Sequence, residues 1–168
     1  MDNYYSFIRE EDEEGIFYYF ITENNLVYTA YFKIDEYTNH INDFPLLLQN
    51  GYAFGFRRTN LNNSKSVNDR KVFHTIVEIM KDFFSSAGED AILLYHCDYS
   101  DQKQTARSRL FDIWDRMVSS DKFEKYNIEV VIEKNSYHLG FITSIENPSL
   151  EDLKNEFDNF SYRIIQGK

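Results

Sequence analysis

The chain has 168 residues, a net charge of −10, 42% apolar residues and 17% aromatic residues, with 13 Tyr and 15 Phe. That apolar content excludes a disordered chain, and its length is enough for one domain with a core. The negative charge repels phosphate backbones and speaks against general nucleic-acid binding. Cys97 is the single cysteine, which excludes an intrachain disulfide, and no apolar run approaches a membrane span. Met1–Tyr5 has neither the basic region nor the apolar core of a signal peptide, so the expected location is the cytoplasm.

Tyr4–Arg9 is predicted as a first strand, closed by Glu10-Glu11-Asp12-Glu13-Glu14 and Gly15 as a solvated turn. Ile16–Thr22 and Leu26–Ile34 are rich in aromatic and β-branched residues, and the short Glu23-Asn24-Asn25 connection makes them a hairpin. In the second run neither alternating set is cleanly polar, which predicts a sheet covered at least partly on both sides. A short helix is expected near Pro45-Leu46-Leu47-Leu48, and Tyr52–Arg58 returns as a strand. From Asn68 a long helix carries Val72, Phe73, Ile76, Val77, Met80, Phe83 and Phe84 on one face, with Ser66 or Asn68 as cap and Gly88 beyond its end.

Ile92–Cys97 is a short apolar run that opens through Asp98 and Asp101 into a helix over 103–118. Tyr126–Ile132 and Tyr137–Ser144 form a second hairpin. A last helix opens at Pro148-Ser149, with Leu150, Leu153, Phe157 and Phe160 as its inner stripe. The expectation is a single α+β domain over 1–168. It has one mixed, largely antiparallel sheet of about six to seven strands and three main helices, in the order β-β-β-β-α-β-α-β-β-α.

A buried strand that ends in polar residues delivers them to the mouth of the sheet, where open sheets hold ligands. Asp98, Asp101, Lys103 and Arg107 are therefore candidate ligand-binding residues, joined by Arg57 and Arg70 from the basic stretch before and at the long helix. Lys103 and Arg107 are i,i+4 neighbours on one face. The competing reading makes Asp98 or Ser100 a helix cap and Asp101 a first-turn carboxylate. Metal binding lacks a ligand set: the aspartates stand alone, and His40, His74, His96 and His138 are scattered. No Walker loop, dinucleotide glycine fingerprint or Gly-x-Ser-x-Gly elbow occurs.

From Ile16 onward the order of elements resembles the acetyltransferase fold of the GNAT superfamily. The resemblance covers roughly three quarters of the chain. It implies a strand (Tyr52–Arg58), a loop and the Asn68 helix that together hold phosphates, with acyl-coenzyme A between two splayed strands. The family's Arg/Gln-x-x-Gly-x-Gly/Ala signature has no glycine here between Asn68 and His74, and only Arg70 matches it. Its Asn…Ala…Tyr pattern is unmet, with Lys103 and Leu110 at the outer positions around Ala106. Separately, Tyr95 to Trp114 looks like the central motif of a family of small uncharacterised bacterial proteins.

Three functions follow in rank. The first is a GNAT-like domain without the usual phosphate loop, binding a small molecule or partner at the sheet mouth. The second is an acidic protein-interaction module, such as an inhibitor or a component of a defence or toxin–antitoxin pair. The third is a divergent N-acetyltransferase with His96, Tyr95 and Asp98 as candidate bases.

Overall fold

Aromatic residues at alternate positions drive the N-terminal half of the fold. A pleated strand sends every second side chain to the same face, and large rings on one face must be covered. In the computed structural model, which describes residues 3–34, 43–59, 69–98, 115, 121–132 and 135–165, that cover is a helix. The strands are β1 (Phe7–Asp12), β2 (Gly15–Ile21), β3 (Val27–Lys33), β4 (Gly51–Arg58), β5 (Ile92–Asp98), β6 (Phe123–Ile132) and β7 (Asn135–Ser144). Among the described residues three helices accompany them: α1 (Pro45–Asn50), α2 (Arg70–Ala87) and α3 (Leu150–Ile165). The strands form one sheet ordered β1-β2-β3-β4-β5-β7-β6. Among the described residues β4 and β5 pair parallel and the other pairs are antiparallel. The fold is α+β with a mixed sheet, as the sequence predicts.

Helix α2 covers one face. Tyr18, Phe20, Tyr28, Phe32 and Phe54 meet Ile76, Met80 and Phe83 there. Phe83 stacks on Phe32 with ring centroids 4.1 Å apart, and Phe20 stacks on Tyr28 at 5.3 Å. The other face is covered over β5 and β7 by α3 and α1, where Ile92, Leu94, Leu139 and Phe141 pack on Leu153, Phe157, Phe160, Phe44 and Leu47. The aromatic excess is thus largely core.

Three sheet-side tyrosines, Tyr5 and Tyr18 buried and Tyr126 half-buried, latch a helix through a carboxylate. The Tyr5 hydroxyl donates to Asp69 at 2.6 Å, Tyr18 to Asp82 at 2.7 Å and Tyr126 to Asp158 at 2.8 Å. Burial and the Asp69 hydrogen bond push the Tyr5 hydroxyl up to about 12 from an ordinary 10. Tyr18 is raised for the same reasons, with Asp82 as its partner. A tyrosine whose folded value is raised contributes stability that is complete below pH 10 and is lost as pH climbs through the folded value. Alkaline unfolding should therefore show stability falling between pH 10 and 12, with a shallower fall in Tyr18→Phe. A flat profile in that window would remove the latches from the argument. At neutral pH, Tyr18→Phe is expected to cost about 1.5–3 kcal/mol, because a carboxylate acceptor loses its donor.

Helix α1 has only six residues and no side-chain cap of its own. Its first amides are held from across the fold: the Glu156 carboxylate on α3 accepts from Leu46 N at 3.1 Å and Leu47 N at 2.8 Å. Glu156→Ala should cost about 1–2 kcal/mol, as loss of a helix cap does. Glu156→Gln keeps one acceptor oxygen and should retain part of that, a difference that urea titration of both variants resolves.

Two local expectations are corrected. Glu10, Glu11 and Asp12 are not in a turn but extend β1, opposite Phe17, Ile16 and Gly15. An edge strand leaves such carboxylates in water, and the turn shrinks to Glu13-Glu14, where Asp12 Oδ1 accepts from Glu14 N at 2.8 Å. The long helix starts at Arg70 rather than Asn68, and its cap is Asp69, whose side chain accepts from Lys71 N at 2.9 Å. Ser66 and Asn68 lie outside the described residues, as does the helix expected over 103–118 apart from Asp115.

Candidate functional site

Strand β4 leaves α1 and pairs with β5 through only three residue pairs, Gly51↔Ile92, Tyr52↔Leu93 and Ala53↔Leu94. Each strand then follows its other neighbour. Phe54, Phe56 and Arg58 stay in register with Phe32, Ala30 and Tyr28 of β3, while Tyr95 to Asp98 stay in register with Gly140 to Tyr137 of β7. Beyond Ala53 and Leu94 the two strands are no longer paired with each other, which ends the parallel junction found among the described residues.

The candidate residues distribute around it as follows. Arg57 is exposed near the carboxyl end of β4, on the face opposite α2. Beside it, burial together with Glu10 and Asp12 pushes the Tyr19 hydroxyl up, and Arg57 opposes that shift. Arg70 is exposed in the first turn of α2. Tyr95 is buried at 3% exposure in the core under α2, with its ring over Gly140. Arg57 and Tyr95 thus sit on opposite faces and do not converge. His96 and Asp98 have their backbones at the carboxyl end of β5, opposite Leu139 and Tyr137. Asp101, Lys103 and Arg107 lie outside the described residues.

At the N-terminus of α2 the Asp69 carboxylate occupies the Lys71 amide and accepts from Tyr5. An anion seated there would need that amide and would meet the Asp69 charge. The helix end is therefore built against a phosphate, in keeping with the missing glycines.

A concavity lies at the opposite end of the sheet and was missed in the sequence. Phe84, Gly88, Asp121, Lys122, Phe123, Ser144, Ile145 and Glu146 line a groove of about 330 Å³, which continues past Lys81 and Ser85. Its floor is the Phe84–Phe123 contact, with centroids 4.8 Å apart. At its rim a hydrogen bond with Glu146 and the charge of that carboxylate raise the Glu89 carboxyl. Phe84 reads as ordinary core stripe, and β6 begins at Phe123, three residues before the predicted start at Tyr126, so nothing in the sequence joined the two walls.

Among the described residues no cluster of three or more His, Cys, Asp or Glu is placed to hold a metal ion. None of the described helices is long and apolar enough to cross a membrane. No curated protein and no solved structure matches the chain. A family model does, over residues 68–159, which take in α2, β5, β6, β7 and the start of α3, and contain the Tyr95–Trp114 stretch. The match spans more than half of the chain, which belongs to DUF6169, a family of unknown function.

Proposed function

We propose that the chain is a GNAT-like ligand-binding domain that has lost the usual phosphate cradle and takes its ligand between the carboxyl ends of β4 and β5. The observation that carries this reading is that β4 and β5, the one parallel pair among the described residues, stop pairing after Ala53 and Leu94. Ligands of open sheets sit outside the carboxyl ends of strands, where the topology switches. Arg57 and Arg70 supply exposed cations for an anionic ligand group, and Asp98 ends β5, with Asp101, Lys103 and Arg107 following it in the sequence as further polar candidates. With Asp69 on the α2 amides, charge recognition falls to side chains instead of a backbone loop.

The discriminating test is a thermal-shift titration with coenzyme A, acetyl-coenzyme A and ATP. A ligand that binds only the native state stabilises it by RT ln(1 + [L]/Kd), about 2.7 kcal/mol at a hundredfold excess over Kd. The expected result is a saturable rise in Tm with the two coenzymes and none with ATP. Arg57→Ala and Arg70→Ala should each shrink the rise while leaving the basal Tm unchanged, since both side chains are exposed. Absence of any shift overturns the coenzyme reading.

A second reading, an acidic protein-interaction module, is favoured by one surface. On the face opposite α2, Ile8 and Ile21 are 67% and 59% exposed, around the half-buried Tyr19. Ile8→Ser/Ile21→Ser should then abolish recovery of a stoichiometric partner without lowering Tm, and equal recovery by both proteins would count against it.

A further inference from the structure

A sheet has two edges, and among the described residues they are β1 and β6. An open edge is a template for another strand unless its side chains prevent it. Two copies joined edge to edge about a twofold axis normal to the sheet keep each face on the same side. Such pairing sets one residue against itself at the axis, and its neighbours pair symmetrically around it.

β1 is protected against this. Centring the axis on Arg9, Glu10, Glu11 or Asp12 sets a charge directly against its own copy, and centres before Arg9 leave almost no strand to pair. β6 is the reverse case. It has ten residues, contains neither Pro nor Gly, and among the described residues no strand pairs with its outer edge. Centring the axis on Asn127 engages 123–131 and sets Lys125 against the partner's Glu129, twice by symmetry. The register then places position 123 opposite the partner's position 131 and position 126 opposite the partner's position 128. Centring on Glu124, Lys125 or Glu129 instead sets like charges together, while Tyr126 and Ile128 as centres form no ion pair. The charge pattern of β6 therefore singles out one register.

We infer that β6 is a self-association edge, through which a second copy of this chain pairs antiparallel about Asn127 and continues the sheet across the twofold. Within the chain Lys125 also holds Asp115 at 3.1 Å. Directly opposed charges are where sheet pairing gains or loses most in specificity.

The test is light scattering of the full chain at physiological salt. The native chain should be a dimer. Lys125→Glu and Glu129→Lys each turn both attractions into repulsions and should weaken association by about tenfold or more. An equimolar mixture of the two restores both opposite-charge pairs and should return to dimer, as should the double swap within one chain. In a Cys97→Ser background, Asn127→Cys should give a disulfide-linked dimer under mild oxidation, whereas Lys125→Cys should not. That arm decides the matter even if a charge variant fails to fold. A native monomer, a dimer indifferent to the charge variants, or equal cross-linking at 125 and 127 overturns the inference.

Discussion

Phe83→Ala is expected to lower the unfolding free energy by about 3–5 kcal/mol, the range for deleting a fully buried aromatic ring. Phe83 has no exposed surface and stands where the sheet and α2 meet. It stacks on Phe32 at 4.1 Å, takes the edge of Tyr52 at 5.0 Å and touches Phe84 at 5.4 Å. Ala at this point leaves a cavity walled by rings anchored in three different elements, so collapse is poor and the cost falls toward the upper end. Urea titration measures it as a fall in midpoint at constant slope. Phe83→Leu should recover most of the loss. A cost under about 1.5 kcal/mol for Phe83→Ala would mean that the α2 face repacks and is not the rigid support described.

Gly140→Val is expected to cost about 3 kcal/mol, the upper end of the range for overpacking. Gly140 lies opposite Tyr95 across the β5–β7 ladder, and a Cβ there would overlap the Tyr95 phenol ring. The ring is buried in the α2-side core and has nowhere to move. Gly55 stands under Tyr31 in the same manner across β3 and β4. Tyr31 is only half-buried, so its ring can swing outward and Gly55→Ala should cost clearly less than Gly140→Ala. The mechanism is checked by a double-mutant cycle: Gly140→Ala combined with Tyr95→Ala should cost less than the sum of the single changes. Strict additivity would separate the glycine from the ring. The comparison also bears on function, because a Tyr95 fixed over Gly140 serves the core rather than acting as a base at the mouth of the sheet.

The strands and long helices were legible because their signals are local. Alternating rings in Tyr18–Phe20 and Tyr28–Phe32, the Asn25 turn, and the Val72–Phe84 stripe each follow from the periodicity of one element. The acidic run of β1 was misread because carboxylates suit a turn and an edge strand equally, and only pairing to Phe17 and Ile16 decides between them. The cap at Asp69 was missed because Ser66 and Asn68 satisfy the same pattern. The candidate site was legible in part. Arg57, Arg70 and the Tyr95–Asp98 strand end are visible in sequence, but that Arg57 and Tyr95 lie on opposite faces depends on registers set across three strands.

By itself the sequence determined most of the described elements, the α+β class, the core stripes and the absence of glycines where a phosphate loop would need them. These are properties of near neighbours, written in propensity, periodicity and charge. The tertiary structure alone decided that β4 and β5 run parallel for three residue pairs and then stop pairing. It alone hung α1 from Glu156 on α3 and joined Phe84 to Phe123 as the floor of a groove. Each of these links residues tens of positions apart. Such contacts form only because burying both apolar faces of the sheet at once outweighs the chain entropy of bringing distant segments together, and no local pattern encodes that balance.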